Sequence, residues 1–580
     1  VPDNKVQIFD KRCKALKQQR EDLLPEWRQL MDAYCPRTLP YLLDIQGNTT
    51  RRQRRNKKII NTHPVTAART HKRGMTAGIA SPARPWFRLK SPDEDLNKFK
   101  PVVLWLHLIQ QILEDMFARS NFYNAIGVGY GEEGIFGTMA LGMFEDHEDD
   151  LRCITYPIGS YLIAANDTGR VDTFYRTYRP TAEQMVQQFV MRNNYGQPLP
   201  KALWDFSRVS DEVKTAYDTN GKDREFDVVH VIEPNYDRNP SRVDAREMAF
   251  KSCYYEPTQI SSGKLLKESG YEENPVKVAR WDVTGEDAWG TGPGLDGLGD
   301  ALEIQYREKQ KKKKLDKHND PALSASPELK KQRISLLNGD VTYAAFTAQG
   351  GHPTIKPIHE VDGEISSITA DIKEMQYRVS RVFDEDLFLM LSMSETKDVT
   401  AEAIARKHEE KVVMLGPVLE RQNDELFDPA IDRAFSIALR RGLIPPPPEE
   451  LEGMPLKVEY VSLLAQAQRM VGANTIDRMV GFIGGLAKVQ ADAGEAPDIF
   501  DKVDFDQAAD EYAEALGVMP TIIRSDDEVA ALRAHRAQQA QMQQLAAAAK
   551  PVADAAKAAK DLSETQVNGR SAIDRMVSPQ

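Results

Sequence analysis

TAEAIARKHEEKVVMLGPVLERQNDELFDPAIDRAFSIALRRG, residues 400–442, is the stretch on which the reading of this chain turns. Ala401 to Arg441 is nearly forty residues of helical pattern, about 60 Å at 1.5 Å per residue. Thr400 suits an N-cap and Glu402 the first turn. Pro417 and Pro429 kink or break the run, so that length is an upper bound. Just upstream, Ile365 to Phe388 spaces Ile365, Ile368, Ile372, Met375, Val379 and Val382 three to four residues apart, giving one apolar stripe. LMLSMSETKDVT, residues 389–400, joins the two segments and has a poor helix pattern. Few single-domain enzymes need a helical stretch this long. It predicts an assembly in which helices of neighbouring subunits pack side by side.

Composition narrows the class. At 580 residues the chain forms more than one domain. With 76 Lys and Arg against 87 Asp and Glu it carries a net −11, which argues against a simple basic nucleic-acid coat. Cys13, Cys35, Cys153 and Cys253 lie far apart without a C-x-x-C, so a reducing compartment and no disulfide framework are expected. No run of 18 apolar residues predicts a membrane span. The start, VPDNKVQIFDKR, is too polar for a signal peptide, and synthesis in a cytoplasm is expected.

Residues 4–34 read as an amphipathic helix that Pro25 kinks or splits. Arg51 to Lys58, RRQRRNKK, is either an electrostatic nucleic-acid contact or an exposed basic loop. Asn61 to Ile79 reads as a helix in which Gly74, Ala77, Gly78 and Ala80 allow close packing; Pro82 and Pro85 end it, and Trp86 and Phe87 are candidate buried anchors. Leu104 to Tyr123 is a further helix. From Met139 the chain alternates and is rich in Tyr, Phe, Thr and Ile, with turns at Pro157–Gly159 and Asn166–Gly169, predicting a small antiparallel sheet. Thr181 suits the cap of a short helix; Phe226–Pro234, Met248–Tyr255 and Val276–Trp281 are further strands. Gly297 to His318 reads as a helix with a basic end, and Pro321 to Gly363 as a compact mixed insert. Pro445 to Glu450 is a stiff spacer, followed by a strand at Leu456–Val461, helices at Ser462–Ala491 and Phe500–Leu516, and an alanine- and glutamine-rich helical tail from Ser525.

Catalytic patterns are sparse. Gly127, Gly129, Gly131, Gly134 and Gly137 follow a helix and lack the lysine of a phosphate loop, so close backbone packing is the better reading. Gly292, Gly294 and Gly297 match G-x-G-x-x-G by letter, but no second parallel strand completes a βαβ unit. His408-Glu409-Glu410 lacks the second histidine of a zinc helix. Asp384, Glu385 and Asp386 are an acidic knot, either ion-paired or exposed between helices or a Mg²⁺ site; the former is favoured. No cofactor or metal is implied.

Three passages resemble the portal proteins, or head-to-tail connectors, of short-tailed double-stranded DNA bacteriophages. They are HKRGMTAGIASPARPWFRL within residues 70–90; the order Pro157, Gly159, Tyr161, Gly169, Val171-Asp172-Thr173, Arg176; and, within 398–433, Thr400-Ala401-Glu402, Arg406, Glu409 or Glu410, Leu415, Pro417, Arg421, Glu425, Leu426, Pro429 and Arg433. The resemblance implies an α+β portal fold. Residues 1–296 would be a wing of helices and antiparallel sheet, 297–318 the first stem helix, 319–363 a small α/β clip and 364–388 the second stem helix. A tunnel loop at 389–399, a long wing and crown helix at 400–442, a C-terminal crown at 443–524 and an alanine-rich barrel or disordered tail at 525–580 would follow.

That family forms a ring, usually of twelve subunits, at one capsid vertex. DNA enters through it under terminase and leaves through the tail. The implied partners are other copies of the chain, double-stranded DNA, the terminase large subunit, a tail adaptor and the major capsid protein, with no membrane and no covalent chemistry. The implied location is the virion. Met390, Ser392, Met393, Ser394, Glu395, Thr396 and Lys397 are the candidate channel-lining residues of the tunnel loop; core packing is the rival reading for the methionines. Lys309, Lys311, Lys312, Lys313, Lys314 and Lys317 are the basic stem positions, set beside DNA or a neighbouring subunit, or simply a solvated helix end. An alternative from another class is a capsid-associated scaffold or internal core protein without a channel.

Overall fold

The computed structural model describes residues 4–36, 59–325 with brief gaps, 355–357, 365–392, 415–451 and short stretches between 453 and 571. The basic run Arg51–Lys58, the insert residues 326–354 and 358–364, and residues 393–414 lie outside it. Two compact units emerge: residues 1–88, 110–445 and 460–475 in one, and 89–109, 446–459 and 476–580 in the other. The second contains helix Phe505–Leu516 and a helical stretch 528–543, joined by a 2.6 Å ion pair between Arg533 and Asp506.

The first unit is mixed α and β. Pro25 does split the first helical pattern, into α1 (Lys5–Glu21) and α2 (Leu24–Tyr34). Asn4 caps α1, and the Gln7 side chain accepts from the Asn4 N–H in return, a reciprocal capping box. Next come α3 (His63–Gly78), α4 (Lys100–Arg119), of which residues 110–119 belong to this unit, and α5 (Phe122–Phe136).

The single small sheet expected after Met139 is two sheets. β1 (Thr138–Asp146) and β2 (Asp150–Tyr156) form a hairpin whose charged turn closes at the Asp146–Asp150 pair, and β3 (Tyr161–Ala165), β4 (Val171–Tyr178), β5 (Val228–Pro234), β6 (Phe250–Tyr255), β7 (Lys267–Tyr271) and β8 (Val276–Arg280) follow. β2-β1-β8 is one antiparallel sheet and β3-β4-β5-β6-β7 the other. Alternation along the strands had signalled pairing, but not that β8, more than a hundred residues on, would take the free edge of β1.

Period-two alternation gives the five-stranded sheet two buried faces. Tyr175, Val229, Val231 and Cys253 pack under Val6, Phe9, Cys13 and Leu16 of α1. On the other face Val228 joins Met185, Val186, Phe189 and Val213 of the helical insert between β4 and β5, where Thr181 forms the expected cap. A further core joins α2, α3, both sheets, the start of α6 and the end of α7 through Trp27, Tyr34, Ala67, Phe136, Ala140, Phe174, Ile232, Val278, Ala301 and Phe383. Trp86 and Phe87, 1% and 0% exposed, are the anchors expected of them: Trp86 stacks on Phe122 and sits 5.0 Å from the Phe427 ring.

α6 (Leu298–Asn319) leads to a short strand, β9 (Leu323–Ala325); β10 (Ile355–Pro357) returns the chain to α7 (Ile365–Val382). The sequence carried this helix to Phe388. It breaks instead at Phe383–Asp384, where Asp384 takes a left-handed φ of 51°, and resumes as α8 (Glu385–Ser392), so the start of the 389–399 segment is helical backbone. The second long pattern is described from α9 (Gly416–Gln422), which widens into a π turn at Asn423–Phe427 and continues as α10 (Asp428–Arg440). Pro417 falls in the first turn of α9, where no N–H is needed, and the wide turn precedes Pro429 and accommodates its missing donor.

Candidate channel elements

α6 and α7 pack along each other and run antiparallel. Asp300, in the first turn of α6, lies 3.8 Å from Arg378 near the end of α7, while at the opposite end Leu323 pairs with Pro357. The buried side chains of α6 are Leu298, Ala301 and Ile304, all near its start; beyond them Tyr306 is 55% exposed, and Tyr377 of α7, next to the Arg378 that meets Asp300, is 57% exposed. A helix whose apolar face ends after two turns has no core of its own along the rest of its length.

The lysine run divides by helix geometry. Successive residues turn by about 100°, so Lys311 to Lys314 cannot share a surface. Lys309, Lys313 and Lys317, four apart, lie on one face and are exposed together with Lys312; Lys311 and Lys314 continue the half-buried stripe. Met390 and Ser392 lie in the backbone of α8, and Met393, Ser394, Glu395, Thr396 and Lys397 lie outside the described residues.

The break between α7 and α8 is held by residues the sequence did not single out. His71 of α3 is 1% exposed and bonds through Nδ1 to the Phe383 carbonyl at 3.2 Å. Burial lowers its pKa to about 4, so the ring is neutral and Nδ1–H donates. Its edges meet Trp281, Phe383 and Phe388 at 5.0–5.7 Å. One turn on, the Phe388 ring lies directly over Gly74: a Cβ there would be 2.0 Å from it. Glu385 accepts from Ser380 and Thr70, so part of the acidic knot holds the break together. Among the described residues no group of three or more His, Cys, Asp and Glu side chains can hold a metal.

The glycines likewise serve packing. On α5, Gly127, Gly131 and Gly134 face Thr76, Lys72 and His71 of α3; Gly292 and Gly294 press on the carbonyls of Glu133 and Ile135, leaving no room there for a phosphate.

α9 and α10 are stapled to the β2-β1-β8 sheet by charge. Arg280 of β8 donates from Nε to both oxygens of Glu425, and its backbone N–H bonds to Oε2 at 3.0 Å. Arg433, 2% exposed, donates Nε to the Met143 carbonyl and Nη1 to Glu273, each at 2.8 Å. Arg440 reaches Glu145 and Glu273, Arg441 reaches Asp150, and Arg421 reaches the Trp281 carbonyl and Asp282. Two features of the sequence could have found this seam: four arginines on one helical stretch, and the acidic hairpin.

The described part of the first unit is thus a two-sheet body that anchors a helical hairpin, with a break at Asp384 after the second of its helices. The family model described as bacteriophage head to tail connecting protein matches residues 7–523. The portal protein of Salmonella phage epsilon15 is 38% identical over 524 residues, 90% of this chain and 89% of its own length; the probable portal protein of Bordetella phage BPP-1 is 35% identical over 518 residues, 89% and 88%. This chain belongs to the bacteriophage head-to-tail connecting family, the portal proteins, components of the virion.

Proposed function

We propose that copies of this chain close into a ring, most simply of twelve, whose channel passes double-stranded DNA into the capsid under a terminase and out through a tail adaptor. α6 and α7 are the stem, the insert between them is the clip, and residues 389–399 are the tunnel loop. The observation that carries this reading is the family match across residues 7–523, together with an antiparallel helix pair that leaves Tyr306 and Tyr377 open along its length. Two exposed tyrosines on a thin helical hairpin find cover when the next copy packs alongside.

Charge fits the same reading. Twelve copies at −11 total about −130, and a wall of that sign lets phosphate slide rather than stick. Lys309, Lys312, Lys313 and Lys317 are then a local basic band facing DNA or the next subunit. Negative-stain imaging with mass photometry tests the proposal: rings with a central hole and a mass near twelve times 65.3 kDa are expected. A chain that stays monomeric or forms elongated dimers at high concentration overturns it.

A further inference from the structure

The contact between α5 and α9 holds two buried oxygens that lack partners. Glu133 of α5 is 1% exposed and Gln422 of α9 is 0% exposed. Gln422 donates Nε2–H to Glu133 Oε1. Glu133 Oε2 and Gln422 Oε1 are buried with no hydrogen-bond partner. An ionised carboxylate offers acceptors only, so it leaves both atoms stranded. A protonated carboxyl resolves both at once: Oε2–H donates to Gln422 Oε1 while Gln422 Nε2–H donates to Oε1.

Among the described residues, no cation is placed to hold Glu133 ionised. His71 of α3 is neutral, with its pKa lowered to about 4 by burial. Lys72 faces Glu132, whose Oε2 also accepts the Ile158 N–H. Tyr130 and Tyr161 are buried, their hydroxyls held well above the usual phenol range. From α9's wide turn comes Glu425, a like charge already engaged by Arg280. Burial pushes the Glu133 carboxyl up to about 8 and that of Glu132 up to about 7.

We propose that Glu133 is a proton-operated clamp: protonated, its carboxyl and the Gln422 amide form a reciprocal hydrogen-bonded pair that seats α9 on α5, and loss of the proton breaks that pair and loosens the entry to the wide turn. The arginine seam below it is built on guanidinium groups, which keep their charge. The clamp stands on the chain's own geometry and does not depend on the ring or the channel.

The sign follows from linkage. Glu133 binds its proton more tightly folded than unfolded, so its contribution is complete below about 4.5 and is lost as pH rises through about 8. Hydrogen exchange at residues 416–427, read as the ratio of wild type to Glu133→Gln at each pH, is the test. The glutamine amide donates and accepts as the protonated acid does, so the variant keeps its protection. The ratio falls by up to about tenfold per pH unit between pH 5 and 8 and then levels. Glu132→Gln keeps the decline. In the Glu132→Gln background, infrared spectra at pH 6 show the carbonyl band of a protonated acid that the Glu132→Gln, Glu133→Gln double variant lacks. Equal pH dependence in wild type and Glu133→Gln, absence of that band, or a Glu133→Gln chain that fails to fold would each overturn the clamp, since an amide there must be tolerated.

Discussion

Arg433 shows how a charge can be buried and still hold a structure together. Its guanidinium is closed off from solvent against the Met143 carbonyl and Glu273, with Tyr271 beneath it at 5.5 Å. Losing hydrogen bonds to a buried charged group costs about 1.5–3 kcal/mol, while Glu273 keeps Arg440 as a partner. Arg433→Leu is therefore expected to lower the unfolding free energy read from denaturant melts by that much, and Arg433→Lys to recover only part, because an ammonium cannot serve both acceptors in one plane. Beside it Lys277 is 6% exposed, and burial together with the Arg433 charge lowers its pKa to about 7. The unfolded chain holds that proton up to about 10.5, so this lysine makes stability rise with pH between about 7 and 10.5. Lys277→Met is expected to flatten that rise in thermal melts taken across the window. Arg421, Glu425, Leu426 and Arg433 were quotable from the sequence as portal-like; their partners were not. Glu273 and Met143 lie more than a hundred residues upstream, and spacing along a helix says nothing about what a sheet strand will present to it.

At the scale of elements, α6, α7 and the break at Asp384 carry the testable claims. The geometry divides the lysine run into an outward face and a half-buried stripe. Lys309→Glu, Lys313→Glu and Lys317→Glu together are expected to leave assembly intact and cut DNA-filled heads by about tenfold or more, whereas Lys311→Gln with Lys314→Gln changes packaging little. Counting filled heads by microscopy or nuclease-protected DNA decides it; equal defects in both sets would remove the outward face as the DNA-proximal surface. Deleting residues 390–397 is expected to spare ring formation and impair packaging, read by the same assay. The break at Asp384 makes a different prediction. Gly74→Val drives its side chain into Phe388, so α8 must leave α3; faster proteolysis near residues 385–392 and a loss of about 1–3 kcal/mol are expected. Helix existence was readable here from periodicity, and the helix-ending role of Pro82 and Pro85 from backbone chemistry. The break was not: Ile365 to Phe388 keeps its apolar spacing straight through Asp384, and the contacts at the turn come from α3, through Thr70, His71 and Gly74.

For the molecule as a whole, the ring mass is the measurement on which the proposed function stands. A dodecamer would place the stems of neighbouring copies side by side and cover Tyr306 and Tyr377, so Tyr306→Glu with Tyr377→Glu is expected to shift mass photometry from rings to monomers while the monomer's melting point stays close to wild type. The sequence by itself pointed to the class of the protein through its resemblance to the portal family. Length, an acid excess, spaced cysteines and apolar-periodic helices around a β-rich middle follow from local rules and bounded that class without naming it. Tertiary structure alone decided how the parts are joined. It made two sheets where one was expected and broke the helical run after α7 at Asp384. It set arginines of α9 and α10 on an acidic hairpin, and it buried Glu133 against Gln422. The physical reason is common to all four. Periodicity reports which face of an element avoids water, whereas ion pairs, close glycine contacts and shifted protonation arise between residues distant in sequence, and exist only once the chain has folded around them.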